Sequence, residues 1–475
     1  MDPHSTDLSK LWPDVSSYIL NRDQNIRSLP VTAPLAAISA ELPTKSAGPD
    51  AAFQLFKTSI APHVNAACGP RYFGFITGGV TPAAHIGDVL ATSFDQNVMT
   101  ASESAGSAAA DVEEAVVVML RDLLHLPAEY EGIITAGGTS SNTLALAVAR
   151  QWVGRKNGVD IGEDGLQALG GKAIRVFGTM AHQSISKAMS TLGLGRKVVQ
   201  VPPLPGTVTQ MDPEALDKAL SLETNNGGTA GCIVVVQSGE VNTSNCDSLP
   251  QISAVCKRHN AWLHVDGAAN LLARASPTHA QSLEGLELAD SITGDCHKWF
   301  NVPYDSGLML TRHPAVHSAA ITATAAYLAA TTTPAYAPIN LSLDNSRRFR
   351  ALPLWMALQA YGREGFAEIV DRTCDFAAQL GAWIRQSQQY ELLQPPCLNT
   401  VLFRVVEVNG EEVDPEMAKR VLQHVNATRK VFFSGTVWQG KPAIRAAIAN
   451  WRTNVEDDLQ IVAQSLTEGY AAAFL

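Results

Sequence analysis

The middle of the chain alternates short apolar stretches with longer segments patterned for helix. Ile174–Phe177, Cys232–Gln237, Trp262–Val265, Ser291–Thr293 and Gly307–Leu310 read as strands. Between them, Ser141–Gln151, Ser184–Leu192, Pro213–Ser221 and Ser248–His259 carry helical spacing. A strand that is apolar on both faces must be covered on both faces, and the intervening helices supply the cover. The pattern predicts an α/β fold with a mostly parallel central sheet. Ligands of such sheets bind beyond the carboxyl ends of the strands, so polar residues just after each strand carry most weight.

The flanks are organised differently. Residues 1–50 are rich in Pro, Ser and Asp and predict an extended or short-helical arm. Ala110–Leu126 predicts the clearest helix, with Val112, Ala115, Val116, Met119, Leu120, Leu123 and Leu124 at helical spacing. Glu113 and Glu114 sit near its positive end, and Pro127 stops it. Residues 318–338 are dominated by Ala, Thr and Pro and form either a loop or the end of an Ala-rich helix. From Arg347 the pattern is helical, with later strands near Val401–Val405 and Ile444–Ile448, which predicts a smaller α+β domain. The expected division is an N-terminal arm over 1–90, a large domain over 91–345 and a small C-terminal domain over 346–475.

Charge and cysteine usage narrow the function classes. With 35 Lys+Arg against 45 Asp+Glu the net charge is −10, and no dense basic block offsets it. Nucleic acid and anionic membrane are therefore not the expected partners. The seven cysteines are odd in number and contain no CxxC pair, which predicts neither a disulfide framework nor a metal site and suits the reducing cytoplasm. No apolar run approaches ~18 residues, and the opening MDPHSTDLSK lacks the basic flank and apolar stretch of a secretory signal.

Five motifs follow the expected strands. In SITGDCHKWFNVPYDSG, Lys298 stands between His297 and Trp299. A lysine among aromatics is a candidate nucleophilic amine, although most lysines simply face water. In AWLHVDGAAN a strand ends in Asp266, which could pair with a cationic ligand or cap a helix, and the small residues after it admit a planar ring. In IITAGGTSSNTLALAVAR, Gly137 and Gly138 lead through Thr139, Ser140 and Ser141 into a helix, an ordinary capped turn or a cradle for phosphate. The turn matches neither GxxxxGK[ST] nor GxGxxG, which weakens both nucleotide readings. His182 in GTMAHQSISKAMSTLG can stack on a planar ligand, transfer a proton, or be a satisfied loop histidine. Gly239 and Thr243 in VVVQSGEVNTSNCDSL form a compact loop after a buried strand. Pyridoxal 5′-phosphate (PLP) asks for this combination: donors for a phosphate, a stacking face, a carboxylate for the pyridine nitrogen and an amine for the aldehyde.

With these motifs in this order, the chain resembles the group II PLP-dependent amino-acid decarboxylases, which include aromatic-L-amino-acid and glutamate decarboxylases. The resemblance runs from about Gly69 to Trp451, over GPRYFGFITGG, GGTSSN, AHQSISKA, GEVNTSNCD, HVDGAAN, DCHKWFNVPYDSG, SRRFRALPLWMALQAYGREG and VWQGKPAIRAAIANWRT. It implies the PLP-dependent transferase fold type I, the aspartate-aminotransferase type. It also implies a homodimer with sites at the subunit interface and an N-terminal arm wrapping the partner. It implies Lys298 as the amine in Schiff-base linkage to PLP, Asp266 on the pyridine nitrogen, Ala268 beneath the ring and His182 on its other face. Thr139, Ser140 and His297 would hold the phosphate, with Asn142 beside that turn and Thr243 near the phenolic oxygen.

The implied reaction converts an L-amino acid to its amine and CO2. Tyr72, Phe73, Phe75 and Trp438 are the candidate substrate wall, which favours an aromatic or other apolar side chain over glutamate. Arg347 and Arg348 contact an acidic group or serve structure. Two departures from the family stand out. Gly267 replaces a usual alanine, which should only loosen packing. The family's mobile-loop tyrosine has one counterpart strictly between Tyr327 and Arg347, namely Tyr336. Either Tyr336 or His182 then delivers the proton to the α-carbon. The same cofactor also supports aldehyde synthesis, transamination or carbon–carbon bond formation, and a non-catalytic dimeric scaffold would not need Lys298.

Overall fold

The computed structural model describes residues 8–99, 107–225, 227–322, 336–407 and 413–474. Two compact units emerge, one from Gly78–Ala378 with Pro396–Thr400, the other from Met1–Thr77, Gln379–Pro395 and Val401–Leu475.

The first unit is built on a seven-stranded sheet. Its strands are β1 (Glu131–Thr135), β2 (Ala173–Gly178), β3 (Val199–Gln200), β4 (Thr229–Gln237), β5 (Trp262–Asp266), β6 (Ser291–Gly294) and β7 (Gly307–Thr311), in the order β1-β7-β6-β5-β4-β2-β3. All neighbours from β3 across to β6 are parallel, and β7 is antiparallel to both β6 and β1. Every strand except β7 therefore points its carboxyl end to the same edge. The β-branched run Ile233–Val236 explains β4, and β5, β6 and β7 are buried along their whole length. The helix Gly138–Lys156 is apolar around most of its circumference, as a helix must be when it is enclosed. Its Leu144, Leu146, Val148 and Val153 share a core with Ile133, Val176, Ile185, Ile233, Trp262 and Met309.

The second unit carries a four-stranded sheet of β8 (Tyr390–Leu392), β9 (Thr400–Val405), β10 (Ser434–Trp438) and β11 (Lys441–Ala447), ordered β10-β11-β9-β8. The pairs β10–β11 and β8–β9 are antiparallel. Buried Asp458 joins the two ends of the chain in this unit, accepting from Arg27 Nη1 at 2.9 Å and Arg71 Nη1 at 2.8 Å.

Three local expectations need correction. The arm contains a 17-residue helix, Leu8–Gln24, that runs through Pro13. The helix expected to reach Leu126 spans Ala108–Leu123 instead, because His125 takes a left-handed backbone (φ 55°) before Pro127. Glu113 is not a solvent-facing dipole partner. It is fully buried and forms a two-pronged pair with Arg347, at 3.1 and 2.7 Å, and Arg347 Nη2 also donates to the Ile134 carbonyl at 2.5 Å. Arg347 thus serves structure.

Candidate active site

The carboxyl edge of the large sheet gathers the motif residues. Side chains alternate along β5, so Trp262, His264 and Asp266 share one face. Asp266 is buried; its Oδ1 accepts the Ala268 N–H at 3.2 Å and its Oδ2 accepts from Asn142 Nδ2 at 3.0 Å. Asn142 comes from the first turns of the helix Gly138–Lys156. The same Nδ2 reaches Ser184 Oγ at 3.0 Å, and Ser184 Oγ lies 2.8 Å from His182 Nδ1. His182 caps the helix Gln183–Thr191 and is exposed. On the inner side, His264 Nε2 meets Asn142 Oδ1 at 2.9 Å. Burial pushes His264 down to about 4.

A second group assembles where β1 ends and β7 begins. The register pairs Thr135 with Gly307, which brings the turn after β1 against the loop 295–306. Glycine is required there by close approach: a Cβ on Gly137 would sit 3.0 Å from His297 Cε1, and one on Gly138 2.9 Å from Asp295 Oδ2. The same Gly138 Cβ would lie 3.2 Å from Ala268 Cβ, so this group adjoins the Asp266 strand end. Lys298 Nζ is 3.4 Å from Asp295 Oδ2. His297 Nε2 is 3.0 Å from Asp295 Oδ1, and its ring stacks on Tyr304 with centroids 4.0 Å apart.

These residues fit PLP. The helix Gly138–Lys156 begins without a side-chain cap, so its first N–H groups and the dipole end can receive an anion, with Thr139 exposed and Ser140 half-buried beside them. Buried Ser238 Oγ and Thr293 Oγ1, at or next to the ends of β4 and β6, lack a hydrogen-bond partner among the described residues, as polar atoms awaiting a polar ligand would. Among the described residues no group of three His, Cys, Asp or Glu could hold a metal ion.

The remaining expected residues are placed as follows. The Thr243 hydroxyl is buried and donates to Glu240 Oε2 at 3.0 Å. The Tyr336 phenol is buried within 3.5 Å of Glu113 Oε1 and 3.3 Å of the Gly132 carbonyl. Burial raises its pKa well above the ordinary value. The hydroxyl expected as a proton donor therefore lies beside the Glu113–Arg347 pair. Tyr327 lies outside the described residues. Phe73 is 1 % exposed and packs on Phe433, a core position rather than a substrate wall. Tyr72 stacks on Phe432 and, like Trp438, is buried; Phe75 is 63 % exposed. Gly267 does not loosen packing: a Cβ there would overlap the Thr293 carbonyl oxygen, so the chain closes up on the missing methyl.

Sequence reasoning noted Asp295 beside Lys298 but passed over His264, Ser184 and Ser291 as site residues. The period of two along WLHVD was a signal for His264, since it shares the face of Asp266. Nothing local marks Ser291, whose partners come from the neighbouring strand.

The pyridoxal-dependent decarboxylase conserved domain matches residues 34–406. The chain is 26% identical over 456 residues to the aromatic-L-amino-acid decarboxylase of Bacillus atrophaeus, covering 94% of this chain and 92% of that one. It is 29% identical over 335 residues to the L-2,4-diaminobutyrate decarboxylase of Acinetobacter baumannii, covering 68% and 64%. The crystal structure of Catharanthus roseus tryptophan decarboxylase in complex with L-tryptophan superposes with a TM-score of 0.87 at 20% identity, over 99% of both chains. A domain match across most of the length, on a shared fold, makes this chain a member of the pyridoxal-dependent decarboxylase family, a PLP-dependent carboxy-lyase of fold type I.

Proposed function

We propose that the chain removes the α-carboxylate of an L-amino acid, with an aromatic or other apolar side chain favoured, and releases the amine and CO2. One observation carries the reading. Lys298, the buried carboxylate Asp266 and a helix start without a side-chain cap share one sheet edge. When bound, PLP supplies an electron sink for the pair left behind by CO2. Lys298 would offer the amine that holds the cofactor aldehyde. Asp266 holds the proton of the pyridine nitrogen, and Asn142 holds Asp266. Thr139, Ser140 and His297 bind the phosphate together with the N–H groups of the helix start. Ala268 and His182 would lie against the ring, and Thr243, which donates to Glu240, would lie near the phenolic oxygen.

The assembly proposed is a cytoplasmic homodimer whose N-terminal arm covers the partner. Leu8, Trp12, Leu20, Leu35 and Leu42 are all exposed in that arm, which supports a surface awaiting cover. The seven cysteines are free thiols, which supports a reducing compartment. No helix among the described residues is long and apolar enough to cross a membrane.

A second reading, aldehyde formation with consumption of O2, is favoured by the enclosure of Tyr336 in the Glu113–Arg347 cluster. One experiment separates the two. Purified enzyme is given tryptophan, tyrosine, phenylalanine, 2,4-diaminobutyrate and glutamate, with detection of CO2, amine, aldehyde and H2O2, and Lys298→Ala as control. Amine and CO2 from an aromatic substrate are expected. Aldehyde with H2O2 selects the second reading, and no product above the control overturns both.

A further inference from the structure

We propose that Trp262, Ser291, His264 and Asn142 form a one-way hydrogen-bond chain that positions Asp266 and, through Ser184, fixes His182 with its proton on Nε2. The inference deepens the proposed function and rests on the roles given there to Asp266 and His182.

The direction follows from what each group can do. The Trp262 indole can only donate, and it donates to Ser291 Oγ at 2.9 Å. The hydroxyl hydrogen of Ser291 is then directed to His264 Nδ1, 2.8 Å away. His264 keeps its proton on Nε2 and gives it to Asn142 Oδ1 at 2.9 Å. With its oxygen committed, Asn142 turns its amide nitrogen to Asp266 Oδ2 and to Ser184 Oγ, both at 3.0 Å. Ser184 has now accepted a bond, so its own hydrogen goes to His182 Nδ1 at 2.8 Å, where the Ser184 backbone N–H also points at 3.3 Å. A ring nitrogen that receives two donors is bare, which leaves the His182 proton on Nε2.

Burial protects the chain. Trp262, Ser291, His264 and Asn142 are all fully buried, so water does not compete for these bonds. Burial also holds His264 near 4, so it is neutral at physiological pH, as its place between one donor and one acceptor requires. The backbone builds the arrangement: β5 puts Trp262, His264 and Asp266 on one face, and the β5–β6 register sets Ser291 opposite His264. His264 and Asn142 are positioning residues. They act on the ligand through Asp266 and His182.

The test uses the PLP-loaded enzyme labelled with 15N-histidine. Imidazole-nitrogen NMR should show His264 and His182 neutral, each with its proton on Nε2; the two signals are identified with His264→Gln and His182→Gln. A proton on Nδ1 of either ring overturns the proposal, and this reading needs no variant to fold beyond those used for identification. Cofactor affinity and the absorption spectrum of bound PLP give a second readout. Asn142→Ala and His264→Leu should bind PLP at least about tenfold more weakly, with an altered spectrum, because a bond to a charged group is lost or left undirected. His264→Gln keeps a donor toward Asn142 and should restore most of the affinity and the spectrum. Wild-type affinity and spectrum in Asn142→Ala would contradict the chain while leaving the proposed function standing. A wild-type protein that binds no PLP would overturn that function itself.

Discussion

Asp266 ends a buried strand with each carboxylate oxygen already engaged, one by the Ala268 N–H and one by Asn142. Asp266→Ala should cut turnover by at least about a hundredfold, the scale of a lost preorganised charge, with a much smaller effect on the melting temperature. Undiminished turnover would remove Asp266 from the mechanism. Its neighbour Gly267 makes the opposite prediction. A methyl there meets the Thr293 carbonyl, so Gly267→Ala should destabilise the fold by roughly 1–3 kcal/mol in urea unfolding. Two buried histidines set an acid limit. Burial pushes His317 and His264 down to about 4 from an ordinary value of 6.5. Below 6.5 the unfolded chain takes up protons that the folded chain refuses. The stability these rings contribute is therefore complete above 6.5 and lost as pH falls toward 4, by roughly 3 kcal/mol for each ring at most. The melting temperature should fall across that window, and His317→Gln, which keeps a donor to the Leu341 carbonyl, should flatten the fall. At this scale the sequence was informative where chemistry is local. Lys298, Asp266 and His182 stand next to strand ends and were legible as candidates, whereas the Glu113–Arg347 pair was not, because its members lie 234 residues apart.

Elements divide in the same way. The strands of the large sheet were readable because being covered on both faces leaves an unbroken apolar run, and β2, β4, β5, β6 and β7 all contain the stretches expected. The helix Leu8–Gln24 was not read as one although Leu8, Leu11, Trp12, Val15, Tyr18 and Ile19 recur at helical spacing, because Pro13 and the polar composition of the arm argue for an extended segment. The helix Ala108–Leu123 is anchored by the Glu113–Arg347 pair. Glu113→Ala leaves a buried guanidinium without its counter-ion and should cost about 3–5 kcal/mol. Tyr336→Phe in the same cluster should retain turnover, because its hydroxyl faces Glu113 and Gly132; a collapse in turnover with folding intact would return Tyr336 to the chemistry. Residues 323–335, within the Ala-, Thr- and Pro-rich stretch read as a loop or a helix end, lie outside the described residues.

At the scale of the whole molecule, the alternation of strand and helix was enough to predict the α/β class and the sheet edge where the motif residues gather. The smaller unit draws on both ends of the chain, through contacts such as Arg27 with Asp458 across 431 residues, and no local pattern announces a pairing of that range. The account as a whole depends on one covalent attachment at Lys298. Borohydride reduction of the PLP-loaded enzyme, followed by digestion and mass mapping, should place a single pyridoxyl group on the peptide that carries Lys298. A label on any other residue, or no label at all, would contradict the assignment.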